Sequence, residues 1–433
     1  MQLRPAFLAI SLSLSLAFAW PAQAAKAPAK SAGKTASKAA PSEPTLAHNL
    51  SEDNAARLAE LIERFHAATG QNIKLVRLEK DDKPATLNLI NRYQMSDTLS
   101  QPRNFVPLHS MMQKAGEKFS LTLPEVLRPG VTDARGKLVA LPIIYSTPVL
   151  FYNKNAMRKA GLDPEAPPKT WFEMQGVLDK LQAAGYDCPY SSSWPSWVHL
   201  DNVSAVSGTP AIDNKGNLKF NALPQVKHVA MMATWTKAHY FRLFGHTDEA
   251  SQKFRDGQCA MLTTDSREYA SFQDARGVEL GVAPMPYHDD VFGGRRPSLA
   301  NGPSLWVGAG KSAAEYKVAA QFVSFLLSPK IQVELVRHYG GLPLTEAARK
   351  AAASELLQDG RQMLEAAYVS LQGKADDSGI RLVNIDRARL IADEELDAVW
   401  TDKKPAKAAL DTAVSRGNAV LTAHPLLKKS QPF

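Results

Sequence analysis

Residues 141–153, LPIIYSTPVLFYN, form an almost unbroken apolar run that carries too much proline to be a helix. Such a run reads as buried extended chain, and its neighbours read as helices. Ser51 caps an expected helix that places Ala55, Leu58, Leu61, Ile62 and Phe65 on one face. NIKLVRL at 72–78 then alternates like a strand. Thr170 and Glu173 form a capping box on a helix running through Met174, Val177, Leu178 and Leu181 to Gly185. Ser328-Pro329 opens another helix, which stops at Gly340-Gly341. Short strands separated by helices make this an α/β chain with mixed sheets. No period of 20–50 residues repeats.

The N-terminus is read apart from the fold. Met1 and Arg4, the apolar run Ala6 to Trp20 and the small-x-small Ala22-Gln23-Ala24 form a secretory signal over 1–24. Residues 25–44 are mostly Ala, Lys, Pro and Ser, a composition that buries too little to order itself, so a disordered tether is expected. Half of the formal charge of +8 lies in residues 1–44: Arg4, Lys26, Lys30, Lys34 and Lys38 against Glu43. The remaining +4 is spread along the chain, without the clustered arginines that nucleic-acid binding needs. The 389 residues of 45–433 are too many for one core and imply two lobes. No second long apolar run follows the signal, so the mature chain is expected to be soluble. Cys188 and Cys259 are the two cysteines; export permits a disulfide, and two buried thiols are the equal alternative.

Catalytic signatures fail on inspection. VGAGKSA at 307–313 lacks the first glycine of a phosphate loop, since Leu305 stands there, and reads as a surface turn. Ser31 and Lys34 match S-x-x-K inside the tether, where nothing holds a nucleophile in place. No G-x-S-x-G, no H-E-x-x-H and no close pair of His or Cys ligands is present, so no metal is expected. DEELD at 393–397 has the carboxylates of a glycosidase, but such pairs on a helix read as a solvated face.

SSSWPSWVHL at 191–200 asks why two tryptophans stand three apart with a proline between them. Pro195 excludes a helix interior, so Trp194 ends a loop and Pro195 begins the turn that carries Trp197. At least one indole is then expected at the cleft edge, with Ser191–Ser193 exposed beside it.

STPVLFYNKNAMRKAGLDPEAPPKTW (146–171) resembles the hallmark segment of the family 1 solute-binding proteins of ABC importers, and specifically the branch that binds sn-glycerol 3-phosphate. The likeness continues through CPYSSSWPSWVHLDNVSAVSG (188–208), QVKHVAMM (225–232), KFRDGQCAM (253–261), NGPSLWV (301–307) and 388–418. It implies a two-lobed, maltose-binding-like α/β fold with mixed sheets flanked by helices and hinge strands between the lobes. Lobe 1 would be 45–146 plus about 283–338, and lobe 2 would be 147–282 plus about 339–433.

Function follows from the same resemblance: a periplasmic, monomeric, non-catalytic protein without cofactor. It would bind sn-glycerol 3-phosphate or a glycerophosphodiester in the cleft and deliver it to an inner-membrane permease. Carried over by position, ligand contacts fall on Ser146, Trp194, Trp197, Gly302 and Arg389. The chemistry agrees: a hydroxyl that donates and accepts, a glycine that admits close backbone approach, and a guanidinium fork matched to phosphate. Of the arginine pair Arg387 and Arg389, the resemblance selects Arg389 for the cleft and leaves Arg387 to solvent or an acidic neighbour.

The chain also departs from that pattern. LVRLEKDDKPATLNLINRYQ (75–94) passes almost directly from strand to strand, where the family carries an extra helix and a ligand-contacting tyrosine. The family's acidic residue for glycerol falls on Asn91 or Arg92. A second tyrosine falls on Gly341, with Tyr339 nearby, and a serine falls on Asp265 or Ser266. A carboxylate at 265 caps the following helix yet repels phosphate there. Alternatives are a sugar or polyol binder of the same family, with Trp194 and Trp197 stacked on a pyranose, a paralogue that has lost solute binding, and a periplasmic hydrolase using 393–397.

Overall fold

The computed structural model describes residues 43–78, 83–91, 94–133, 135–213, 215–290, 294–373 and 385–422. The signal segment and nearly all of the tether lie outside these. The tether's expected end is one exception: Pro44 is buried and its carbonyl accepts from Lys74 N at 2.9 Å, so the ordered chain begins inside 25–44.

Among the described residues, ten strands build two mixed sheets. They are β1 (Thr45–His48), β2 (Lys74–Arg77), β3 (Leu87–Ile90), β4 (Phe105–Val106), β5 (Leu141–Pro142), β6 (Pro148–Asn153), β7 (Tyr190–Ser192), β8 (Met261–Asp265), β9 (Leu280–Pro284) and β10 (Ser304–Gly308). The first sheet runs β2-β1-β3-β10-β4, with β5 also pairing β10, and the second runs β7-β8-β6-β9. β2 and β3 both lie parallel to β1, one on each side. The apolar run 141–153 is buried throughout and supplies β5 to one sheet and β6 to the other.

Among the described residues, three stretches of chain run side by side next to the two sheets. Ser146 and Asn301 exchange both backbone hydrogen bonds, at 2.9 and 2.8 Å. Ile143 N donates to Pro303 O, and Leu342 N donates to Tyr145 O at 2.9 Å. Backbone pairing at these crossings fixes their register.

The helices begin where the sequence places them, but the expected Ser51 cap is not made: the side chains of Ser51 and Ser328 form no capping hydrogen bond. Glu52–Thr69 follows Ser51 and buries Leu58, Leu61, Ile62 and Phe65. Trp171–Ala183 carries the complete Thr170/Glu173 capping box. Pro329–Tyr339 starts after Ser328 and ends on Gly340, whose φ of 61° takes the left-handed conformation. VGAGKSA closes β10 and turns into Ala313–Leu326, capped by Ser312, so it is a turn. Cys188 and Cys259 are joined as a disulfide across 71 residues. Among the described residues, no helix is long and apolar enough to cross a membrane.

Candidate functional site

The ends of β1 and β3, the crossings and the turn after β7 enclose a cleft of about 870 Å³. Asp53 and Asn54 line it from the start of the helix Glu52–Thr69 and Asn91 from the end of β3, while Trp194, Asp265 and Arg267 line it from the ends of β7 and β8. Tyr339 closes one end, its hydroxyl donating to Asn54 O at 3.2 Å, and burial pushes its pKa up. Carboxylates, guanidinium groups, the half-buried ring of Trp194 and the buried ring of Tyr339 thus face one space, a lining that suits a small hydroxylated ligand.

Trp194 owes its position to strain. Its φ is 52°, rare for a non-glycine residue, because Pro195 starts the helical turn directly behind it. Trp194 N donates to Thr247 O at 3.0 Å, and the ring is left half-buried in the cleft wall. Trp197, one turn on, is only 2 % exposed. The cleft-edge expectation therefore holds for Trp194, and core packing holds for Trp197. The expected exposure of Ser191–Ser193 is wrong: all three are fully buried. Their hydroxyls bond to Arg242 O, Thr263 O and Ser251 Oγ, because β7 is covered on both faces.

The crossings hold three more of the expected residues. Ser146 is completely buried, and among the described residues its Oγ has no hydrogen-bond partner. Gly302 has a φ of 123°, and a Cβ there would stand 2.4 Å from Ile144 O. Glycine at 302 therefore serves close packing of crossing on crossing, and its N–H donates to Asn301 Oδ1 at 2.8 Å. Gly341 has the same origin: its Cβ would lie 2.7 Å from Ile144 Cα, which leaves a tyrosine no room. Ser266 is buried, and its Oγ accepts from Thr147 N at 3.3 Å. Asp265 caps the turn at 266–268 through Arg267 N and accepts from Asn301 Nδ2 at 3.2 Å, so it ties β8 to the crossing.

Arg389 lies in the first turns of the helix Ile385–Trp400. Its Nε donates to Asp201 at 2.8 Å, Asp386 lies 3.9 Å away, and the guanidinium sits 5.8 Å above the Trp197 ring. The structure thus groups Arg389 with Trp197 and Asp201, and Trp194 with Asp265. Arg387 is exposed. Asp201 was not singled out from the sequence, and its place on the turn after Trp197 gave no local signal.

Two further readings change. The solvated face expected for DEELD is wrong for Asp393 and Glu395, which are 8 % and 6 % exposed. Asp393 accepts from Ser196 N at 3.1 Å, and burial pushes its pKa up to about 6. Glu395 accepts from Lys404 and Arg416 at 2.5 and 2.9 Å. Both carboxylates hold helices together. No histidine pair is close in sequence, yet His199, His228 and His288 meet in space. Among the described residues, no group of three or more His, Cys, Asp or Glu could hold a metal ion.

Comparison with known proteins gives one consistent answer. The family model for bacterial extracellular solute-binding proteins matches residues 60–363. The sn-glycerol-3-phosphate-binding periplasmic protein UgpB of Pectobacterium atrosepticum is 39% identical over 337 residues, covering 75% of this chain and 76% of that one. UgpB of Escherichia coli K12 is 38% identical over 336 residues, covering 75% and 77%. Among solved structures, UgpB from Mycobacterium tuberculosis in complex with glycerophosphocholine superposes with a TM-score of 0.71 at 19% identity, covering 88% of this chain and 99% of that chain. Maltose-bound MalE3 of T. maritima superposes with a TM-score of 0.67 at 17% identity, covering 87% and 99%.

Proposed function

The chain belongs to the bacterial extracellular solute-binding proteins, and from that premise we propose that it is the periplasmic substrate-binding component of an ABC importer, taking sn-glycerol 3-phosphate or a glycerophosphodiester into the interlobe cleft. Residues 45–146 and about 283–338 act as one lobe, and 147–282 and about 339–433 as the other. The protein works as a monomer that presents its closed form to an inner-membrane permease. It performs no chemistry; its output is the difference in stability between open and closed states.

One observation carries the reading. Trp194 and Asp265, two of the positions that the resemblance assigns to the ligand, line the same cleft. Ser146 lies in the crossing nearby, its buried Oγ with no hydrogen-bond partner among the described residues. Charge then sets the orientation. Arg389 beside Trp197 takes the phosphate, while Asp265 accepts from glycerol hydroxyls beside Trp194. A carboxylate at 265 favours hydroxyls at that end and keeps phosphate away from it.

Calorimetric titration of glycerol 3-phosphate and glycerophosphocholine into the protein tests this. Arg389→Ala should cost about 2–4 kcal/mol of affinity, because Asp201 then loses its partner and phosphate loses its fork. Arg389→Lys should weaken binding, since a point charge replaces a planar fork. Arg387→Ala should be neutral. Equal losses at 387 and 389 would contradict the assignment. Binding of a neutral sugar, with no glycerol phosphate bound, would move the ligand to the sugar and polyol class.

A further inference from the structure

A line of hydrogen bonds runs through the interior of the second sheet's half. His288 Nε2 lies 3.0 Å from His228 Nδ1, and His228 Nε2 lies 3.0 Å from His199 Nδ1. His199 Nε2 lies 3.4 Å from the Tyr190 hydroxyl, which is 2.6 Å from Thr263 Oγ1. Thr263 Oγ1 donates to Ser192 Oγ at 3.1 Å, and Ser192 Oγ donates to Thr263 O and Ser193 O, each at 3.2 Å. Ser193 precedes Trp194 of the cleft wall. The Trp171 ring packs against all three imidazoles, with centroids 4.9 to 6.3 Å away.

The end of the line fixes its direction. A carbonyl oxygen can only accept, so the single proton of Ser192 is spent on the two carbonyls. Ser192 Oγ must then accept from Thr263, whose proton is used in turn, so Tyr190 donates to Thr263. His199 must therefore donate from Nε2 to Tyr190, which leaves its Nδ1 bare to accept from His228. The same step repeats at His228, whose bare Nδ1 accepts from His288. Only His288 Nδ1 keeps a lone pair outside the line.

We propose that this line is a polarised acid latch: it admits one proton harmlessly at His288, and a second proton must break it and release the Ser192–Trp194 wall of the cleft. The groups around it suit that order. His288 is half-buried and faces Lys227 of the helix Leu223–Lys237, and Asp289 and Asp290 of its own loop. Lys227 and Asp290 form an ion pair there. His228 faces His199, His288 and Trp171; His199 faces Tyr190, Trp171 and Phe241. Among the described residues, no carboxylate faces either inner ring to offset a charge. Burial lowers the pKa of both, so the inner pair stays neutral after His288 has charged.

Nitrogen-15 NMR of the histidine rings in the full-length protein tests the proposal without any ligand. At pH 7.5 the three rings should all appear neutral and protonated at Nε2; one ring of the three protonated at Nδ1 overturns the polarity. On acidification His288 should charge first with the Ser193 and Trp194 amides unmoved, and the second uptake should shift those amides. Amides that follow His288, or that move with neither uptake, overturn the latch. His288→Gln should abolish the first uptake and keep the second. Tyr190→Phe removes the imposed direction, so His199 and His228 should show mixed tautomers; unchanged tautomers there overturn the argument from Ser192. Should the Tyr190 variant fail to fold, the wild-type titration and His288→Gln still decide the matter.

Discussion

At the scale of single residues, two substitutions separate packing from binding. Gly341→Tyr restores the side chain that the family resemblance places there, but its Cβ would sit 2.7 Å from Ile144 Cα. Overpacking of this kind costs about 1–3 kcal/mol, so chemical denaturation should show lost stability and titration should show no gained affinity. Trp194→Ala should behave in the opposite way. The ring is half-buried, so its removal should cost about 1–2 kcal/mol of stability, well below the 3–5 of a core tryptophan, while glycerol 3-phosphate binding falls sharply. A stability loss as large as that of Trp197→Ala would make Trp194 a core residue.

At the scale of elements, the second sheet is fastened at its β7 edge. The Cys188–Cys259 disulfide closes a loop of 71 residues just before β7 and β8. In the chain-entropy model such a link contributes about 4 kcal/mol, acting mainly on the unfolded chain. Replacing both cysteines with serine should lower the thermal midpoint by several degrees, and a reductant should do the same to the wild type. A midpoint indifferent to both would place the fastening in the sheet's own packing. The buried acids of the helix Ile385–Trp400 play a similar part: Asp393 takes Ser196 N and so anchors the turn that carries Trp197.

Over the whole molecule, the pH dependence of stability has a definite sign. The histidines His199, His228 and His288 all have lowered pKa values, chiefly from burial, with His199 at about 3. The unfolded chain therefore binds more protons below about pH 6.5, and each such group removes up to about 1.4 kcal/mol per pH unit from there down to its folded value. Asp393 acts oppositely. Its folded pKa is raised from 3.8 to about 6, so between those values it favours the folded state as pH falls and offsets roughly one histidine. Stability from these groups should thus fall steadily below pH 6.5. Denaturation midpoints at pH 7.5, 6.5, 5.5 and 4.5 check this; a rise toward pH 4.5 would contradict it. Closure belongs to the same scale. Small-angle scattering should show a smaller radius of gyration at ligand saturation, and an unchanged value at saturation would exclude hinge closure.

The sequence by itself determined the local grammar and the family. The capping box at Thr170, the helix starts after Ser51 and at Ser328-Pro329, the apolar run 141–153 and the proline after Trp194 act through neighbours a few residues away, so their consequences were legible. The tertiary structure alone decided what depends on residues far apart. Ser191–Ser193 look like exposed loop chemistry but are sealed by β8 and Arg242. DEELD looks like a wet helix face but is closed by Lys404, Arg416 and Ser196. Asp201 reaches Arg389 across 188 residues, and three histidines separated by 29 and 60 residues make one line. Burial and pairing at such distances follow from how sheets and helices stack, and no local pattern of residue types encodes that stacking.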